Sequence, residues 1–249
     1  MNTILYLLIF TYGIVIGSFL NVLIYRIPKH EDVVVARSHC MSCGYQLKWY
    51  DLIPIVSYVC LRGKCRNCHE KLSLQYPMIE AINGILYVLI FFQFGFTITS
   101  IIYALTVSAL LAVSVIDFKT FEIPFGFNLF IGVLGLVHLA LDMKNWASYL
   151  IGAVSVSGFM LLIIVATKGR GMGGGDMKLM AAIGLLLGWK LTILAFFFGC
   201  LFGSILHITR MKITKVDHML AFGPYLSMGI IVSMLYGTQL IDLYIKMVF

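Results

Sequence analysis

The chain has 249 residues, 61% of them hydrophobic and only 12% charged, with a mean hydropathy of +0.98. That balance excludes a water-soluble globular domain and describes a protein solvated by lipid. The net charge of +7 bears on membrane topology and anionic lipid rather than nucleic acid, because no basic patch is interleaved with aromatic residues.

Apolar runs at residues 4–27, 78–94, 98–116, 123–141, 147–167, 179–188, 191–208 and 219–243 predict an all-α polytopic membrane protein with about eight transmembrane helices. Most approach the roughly 20 residues that a helix needs to cross a bilayer. The first run is too long for the apolar part of a signal peptide and has neither a basic leader nor a small-residue cleavage site, so it is expected to remain in the mature chain. Asn21 within it and Asn83 in the second run are single amides expected to bond between helices.

The 28–77 segment is the sizeable polar block. It carries Cys40-x2-Cys43 and, after 21 intervening residues, Cys65-x2-Cys68. Two such knuckles let four thiolates converge tetrahedrally on zinc, and a loop with little apolar core gains folding energy from the metal. The alternatives are a pair of disulfides, disfavoured in a reducing cytoplasm, and unrelated free thiols. Cys60 and Cys200 fall outside the paired spacing and are expected to be buried small hydrophobes. His39 and His69 adjoin the knuckles but are not needed once four thiolates close the site.

Further on, Asp117 ends the third run in Ile116-Asp117-Phe118-Lys119-Thr120-Phe121-Glu122-Ile123-Pro124, and Asp176 follows Gly173-Gly174-Gly175 at the head of the sixth. Carboxylates beside membrane spans need a reason. A structural reading makes Asp117 the cap of a helix starting near Ile123 and Asp176 the cap of one starting near Met177. Three glycines immediately before Asp176 weaken an ordinary helix and allow irregular backbone over 169–175. Glu80, at the head of the second run, is either a cap or a polar partner in an active-site cavity. Gly152 with Gly158, and Gly199 with Gly203, are expected to be close-packing surfaces. Pro224 is expected to kink or start the last span, and His138 and His207 to be buried structural groups.

Basic residues set the orientation. Fifteen of the 18 lysines and arginines, from Arg26 to Lys215, fall on one side, leaving Lys144, Lys190 and Lys246 on the other. The positive-inside rule then puts residues 28–77 and both aspartates at the cytoplasmic face and both termini outside. Two carboxylates that converge share a proton, so that one activates water as base while the other acts as acid, giving peptide hydrolysis without a metal.

The whole set resembles the type IV prepilin peptidases, which share a GxGD motif with other intramembrane aspartyl proteases. The resemblance rests on Gly17-Ser18-Phe19-Leu20-Asn21-Val22, Tyr25-Arg26-Ile27-Pro28, the four cysteines, Leu72-Ser73-Leu74-Gln75-Tyr76-Pro77 with Glu80, and the two aspartate motifs in order. Leu74 and Gln75 stand where the family often carries arginine. The resemblance implies that Asp117 and Asp176 are the catalytic pair and that a basic leader is cut from prepilin-like proteins at the cytoplasmic face of the bacterial inner membrane. It also implies methylation of the new N-terminus with S-adenosylmethionine, for which the chain shows no donor-binding signature. The expected domains are a first helix over 1–27, a zinc-binding loop domain over 28–77 and a seven-helix protease part over 78–249. Two rival classes are an ion- or proton-coupled transporter using the aspartates and a zinc-dependent membrane adaptor.

Overall fold

The computed structural model describes residues 2–169, 171–213 and 221–248. Among these the protein is helical without a strand: α1 Asn2–Arg26, a short α2 Val56–Cys60, α3 Gln75–Phe94, α4 Ile98–Thr120, α5 Phe125–Leu141, α6 Trp146–Ala166, α7 Gly174–Leu187, α8 Trp189–Ile213 and α9 Gly223–Val248. In hydrocarbon every backbone N–H and C=O must be bonded inside its own segment, which leaves helices as the form these apolar runs can take.

The eight expected runs all appear as helices, but they are not equal. Among the described residues six helices are long and apolar enough to cross a membrane, and α5 is a shorter apolar helix. With 14 residues, α7 is about 21 Å long, short of the roughly 30 Å hydrocarbon core. The protein is therefore a multi-pass membrane protein. Residues 171–173 ahead of α7 are irregular, as expected of the glycine run, but Gly174 and Gly175, expected to be irregular too, open the helix. Arg170 and Lys215, counted among the basic residues, and Met219, expected to open the last span, lie outside the described residues, as does the side chain of His207.

The chain divides into two compact units, Met1–Ala112 and Val113–Phe249. In the first, α1 packs along α3. Asn83 Nδ2 donates to Gly13 O at 2.7 Å and Ser108 Oγ donates to Asn83 Oδ1 at 2.9 Å, while Asn21 Nδ2 donates to Tyr76 O at 3.2 Å. Both amides thus bond between helices. In the second unit, α7 packs against α5 and α6, and α8 against α9. A Cβ at Gly152 would lie 2.5 Å from Gly184 O, so α6 and α7 cross backbone to backbone. Gly199 likewise admits Leu226 of α9. Gly158 differs from expectation: a Cβ there would meet only Val154 of its own helix, at 3.7 Å. Pro224, the second residue of α9, starts that helix rather than kinking it.

Candidate functional site

The polar loop folds as two copies of one knuckle. Cys40 N donates to Tyr45 O and Gly44 N to Cys40 O, both at 2.9 Å; 25 residues on, Cys65 N donates to Glu70 O at 2.8 Å and His69 N to Cys65 O at 3.1 Å. The flanking bridges, His39 with Gln46 and Lys64 with Lys71, repeat at the same offset. Each tight turn needs a left-handed residue: Gly44 supplies it at φ +70°, His69 at φ +58°.

The duplicated turns bring the four Sγ atoms of Cys40, Cys43, Cys65 and Cys68 within 4.8 Å of one another. No disulfide joins them, and the set can hold a metal ion. Backbone amides aim at the sulfurs. The Tyr45 N–H, with help from Asn67, pulls the Cys43 thiol down to about 6, and the N–H groups of Cys68 and Asn67 lower Cys65. Both shifts favour the thiolate, the form that ligates metal, whereas Cys68 is held by the Glu70 N–H yet pushed up to about 12 by burial and its three neighbouring thiols. His39 Nδ1 sits against Arg37 O instead of joining the cluster. Cys60 is exposed and Cys200 half-buried, so neither is the fully buried hydrophobe expected. Cys60 ends the five-residue α2, which is too short to cover its own side chains.

In the second unit, a cavity of about 270 Å3 is lined by Asp117, Phe121, Glu122, Ile123 and residues 173–176. Both aspartates are buried, 5% and 8% exposed, in a region otherwise open enough to admit solvent. Asp117 occupies the last turn of α4, and α5 starts at Phe125 behind Pro124 with no side-chain cap, so Asp117 does not cap it. Its Oδ2 instead accepts the N–H of Gly223, the first residue of α9, at 2.8 Å. Phe121 closes the turn in the left-handed region, φ +57°, its N–H on Asp117 O at 2.8 Å.

Asp176 lies in the first turn of α7, where the helix dipole suits a carboxylate, but it makes no capping bond. A Cβ at Gly173 would come within 3.0 Å of Asp176 Oδ2. Asp176 Oδ1 is buried without a hydrogen-bond partner among the described residues. Asn128 of α5 donates to Gly175 O at 3.3 Å, tying down the glycine run beside it. Lys119 and Lys178 are exposed, and Lys178 Nζ lies 5.5 Å from the Phe125 ring. Gly223 and Asn128 escaped sequence reasoning; Gly223 carried only the signal of a Gly-Pro pair at a helix start.

In the first unit Glu80 faces a cavity of about 310 Å3, whose lining residues all fall between Ser18 and Glu80. It does not cap α3: its Oε2 accepts the N–H of Ile55 at 2.7 Å.

Comparison with known proteins matches residues 11–94 to the bacterial peptidase A24 N-terminal domain and residues 104–208 to the type IV leader peptidase family. A prepilin leader peptidase/N-methyltransferase of Bacillus subtilis is 34% identical over 96% of this chain and 98% of its own length. Proteins of the same name from Neisseria gonorrhoeae and Pseudomonas aeruginosa are 34% and 30% identical, over 87% and 94% of this chain and 85% and 91% of theirs. No solved structure matches. With its polytopic helices, its four clustered cysteines and relatives matched nearly end to end, the chain belongs to the type IV leader peptidase family.

Proposed function

We propose that this protein is a membrane aspartyl endopeptidase that removes the basic leader of prepilin-like proteins, with Asp117 and Asp176 as its catalytic pair, and that it then N-methylates the exposed residue. The observation that carries the proteolytic reading is the shared cavity: two acids 59 positions apart in a lipid-solvated chain line one space of about 270 Å3. One carboxylate takes a proton from water as the water attacks the scissile carbonyl, while the other protonates the leaving amine. Asp176 Oδ1, which has no hydrogen-bond partner among the described residues, would hold that water. Gly223 N–H keeps Asp117 from turning away.

The positive-inside distribution puts both acids and the 28–77 segment on the cytoplasmic side of the inner membrane. A prepilin presents a charged leader followed by an apolar helix, so its scissile bond reaches the cavity by lateral diffusion in the bilayer. Zinc is the metal the cysteine set suits: four thiolates in two knuckles, no open position, a structural role. Residues 28–77 then form the zinc module, and 78–249 the protease part. S-Adenosylmethionine is the methyl donor that the methyltransferase activity of the relatives calls for.

Co-expression with a prepilin-like substrate tests the reading. The trimmed product is expected from the wild type and from neither Asp117→Ala nor Asp176→Ala. Cleavage that survives either change removes the dyad. Transport abolished by Asp→Asn without any peptide cleavage would favour the transporter class, and full function without either aspartate the zinc adaptor; neither class has support in the family match.

A further inference from the structure

The aspartate cavity accounts for hydrolysis, and the second cavity is left without a task. It is the roomier of the two at about 310 Å3, within the range of about 300–1,000 Å3 typical of small-molecule sites. It lies between α1, the head of α3 and the cysteine loop, in the first unit alone.

Its polar groups are unequally employed. Arg26 is spent on the carbonyls of Asp32, Ala36 and Arg37, and Asp51 on Arg66 at 2.7 Å. Two groups remain. Glu80, only 6% exposed, has the Ile55 N–H and the Ser18 hydroxyl as partners and is paired with no cation among the described residues. Asn21 donates through Nδ2 to Gly17 O and Tyr76 O, while its Oδ1 is buried with no partner among the described residues. A carboxylate without a cation among the described residues and an orphaned carbonyl oxygen, in a cavity that Ser18 and Tyr76 also line, make a site for a cationic ligand that donates hydrogen bonds.

We propose that this cavity is the methyl-transfer site, with Glu80 as the group that receives the proton of the substrate's N-terminal ammonium and Asn21 Oδ1 as an acceptor that orients a bound cation. The proposal rests on the bifunctional reading above. S-Adenosylmethionine fits the cavity's chemistry, since its sulfonium and ammonium groups are cationic donors or charges suited to Glu80, Asn21 and an aromatic face; when bound it supplies the methyl group. A Glu80 carboxylate oxygen takes one proton from the ammonium and so exposes the nitrogen lone pair. That pair forms the N–C bond as the C–S bond breaks with its electrons going to sulfur, leaving a neutral thioether and a methylammonium product. Glu80 then returns its proton to solvent. Ser18 and the Ile55 amide hold the carboxylate in place throughout.

Two measurements decide it. In the first, wild-type protein in detergent is irradiated with radiolabelled S-adenosylmethionine, with and without excess S-adenosylhomocysteine, and the labelled peptides are mapped. Label within residues 18–80 that the competitor removes is expected; label confined to 113–248 overturns the site. In the second, wild type and Glu80→Gln are given the same prepilin, and methylated and unmethylated trimmed products are counted by mass. The methylated fraction is expected to fall about a hundredfold in Glu80→Gln, the scale of a lost general base, and an unchanged fraction overturns the role of Glu80. A wild type that trims the substrate but never methylates it removes the bifunctional reading itself, a different failure from either of these.

Discussion

Gly223 and Asp117 meet across 106 positions of chain, the N–H that opens α9 lying 2.8 Å from Oδ2 of the acid that ends α4. The contact is closed to any larger residue, because a Cβ at Gly223 would stand 2.8 Å from that same oxygen and 3.1 Å from Asp117 Cβ. One glycine therefore both orients the carboxylate and leaves it room.

Gly223→Ala must displace Asp117 or the start of α9. Overpacking of this kind costs about 1–3 kcal/mol, and a misplaced catalytic group costs about a hundredfold in rate. The expected outcome is protein that still inserts and still binds prepilin but cleaves it at a small fraction of the wild-type kcat. Wild-type kcat in Gly223→Ala would show that Asp117 does not need this contact.

Asn128→Ala leaves the carbonyl of Gly175 without its donor, a loss of about 1 kcal/mol for a neutral bond. The effect should appear in kcat more than in KM, since the side chain supports the turn that carries Asp176 rather than the substrate. Steady-state cleavage of a prepilin peptide in detergent separates the two. A change in KM alone would place Asn128 among the substrate contacts instead.

Gly184→Ala and Gly158→Ala form a matched pair on neighbouring helices. At Gly184 an added Cβ collides with the Gly152 carbonyl, whereas at Gly158 it reaches only Val154 at 3.7 Å. Forcing α6 and α7 apart is expected to lower the thermal midpoint in detergent, at about 1–3 kcal/mol. Alanine at Gly158 should be neutral or slightly stabilising, because it is the better helix former by about 1 kcal/mol.

The duplicated knuckles predict opposite effects at their equivalent turns. Relieving the left-handed His69 with His69→Gly should strengthen the module by about 1 kcal/mol, and Gly44→Ala should weaken it by a similar amount. Zinc content and resistance to a chelator measure both. Cys40→Ser or Cys68→Ser should cost the purified protein about one equivalent of zinc, while His69→Gly should cost none; zinc lost from His69→Gly would make His69 a ligand.

Much was legible in order along the chain. The apolar runs announced every long helix, because a segment in hydrocarbon can satisfy its backbone only within itself. The CxxC pairs announced a four-sulfur cluster, because knuckle geometry is local and repeats with its turn residues. The acids at Asp117 and Asp176 stood out against runs that exclude charge.

The partners of those residues were not legible. In water an amphipathic stripe marks the face that packs, but lipid is as apolar as the interior, so these helices carry no such stripe and their contacts leave only weak traces in small residues. Hence Gly158 read the same as Gly152, though only Gly152 touches another helix; the cap alternative for Asp117 named α5, yet its carboxylate meets α9; and Glu80, left open as a cap or a cavity group, has its Oε2 on the Ile55 N–H beside a cavity of the first unit. Sequence alone singled out the acids and thiols proposed to carry chemistry and the stretches apolar enough to enter the membrane. Only tertiary structure decided which of them share a cavity, because that depends on helix faces and crossing points that an all-apolar pattern does not encode.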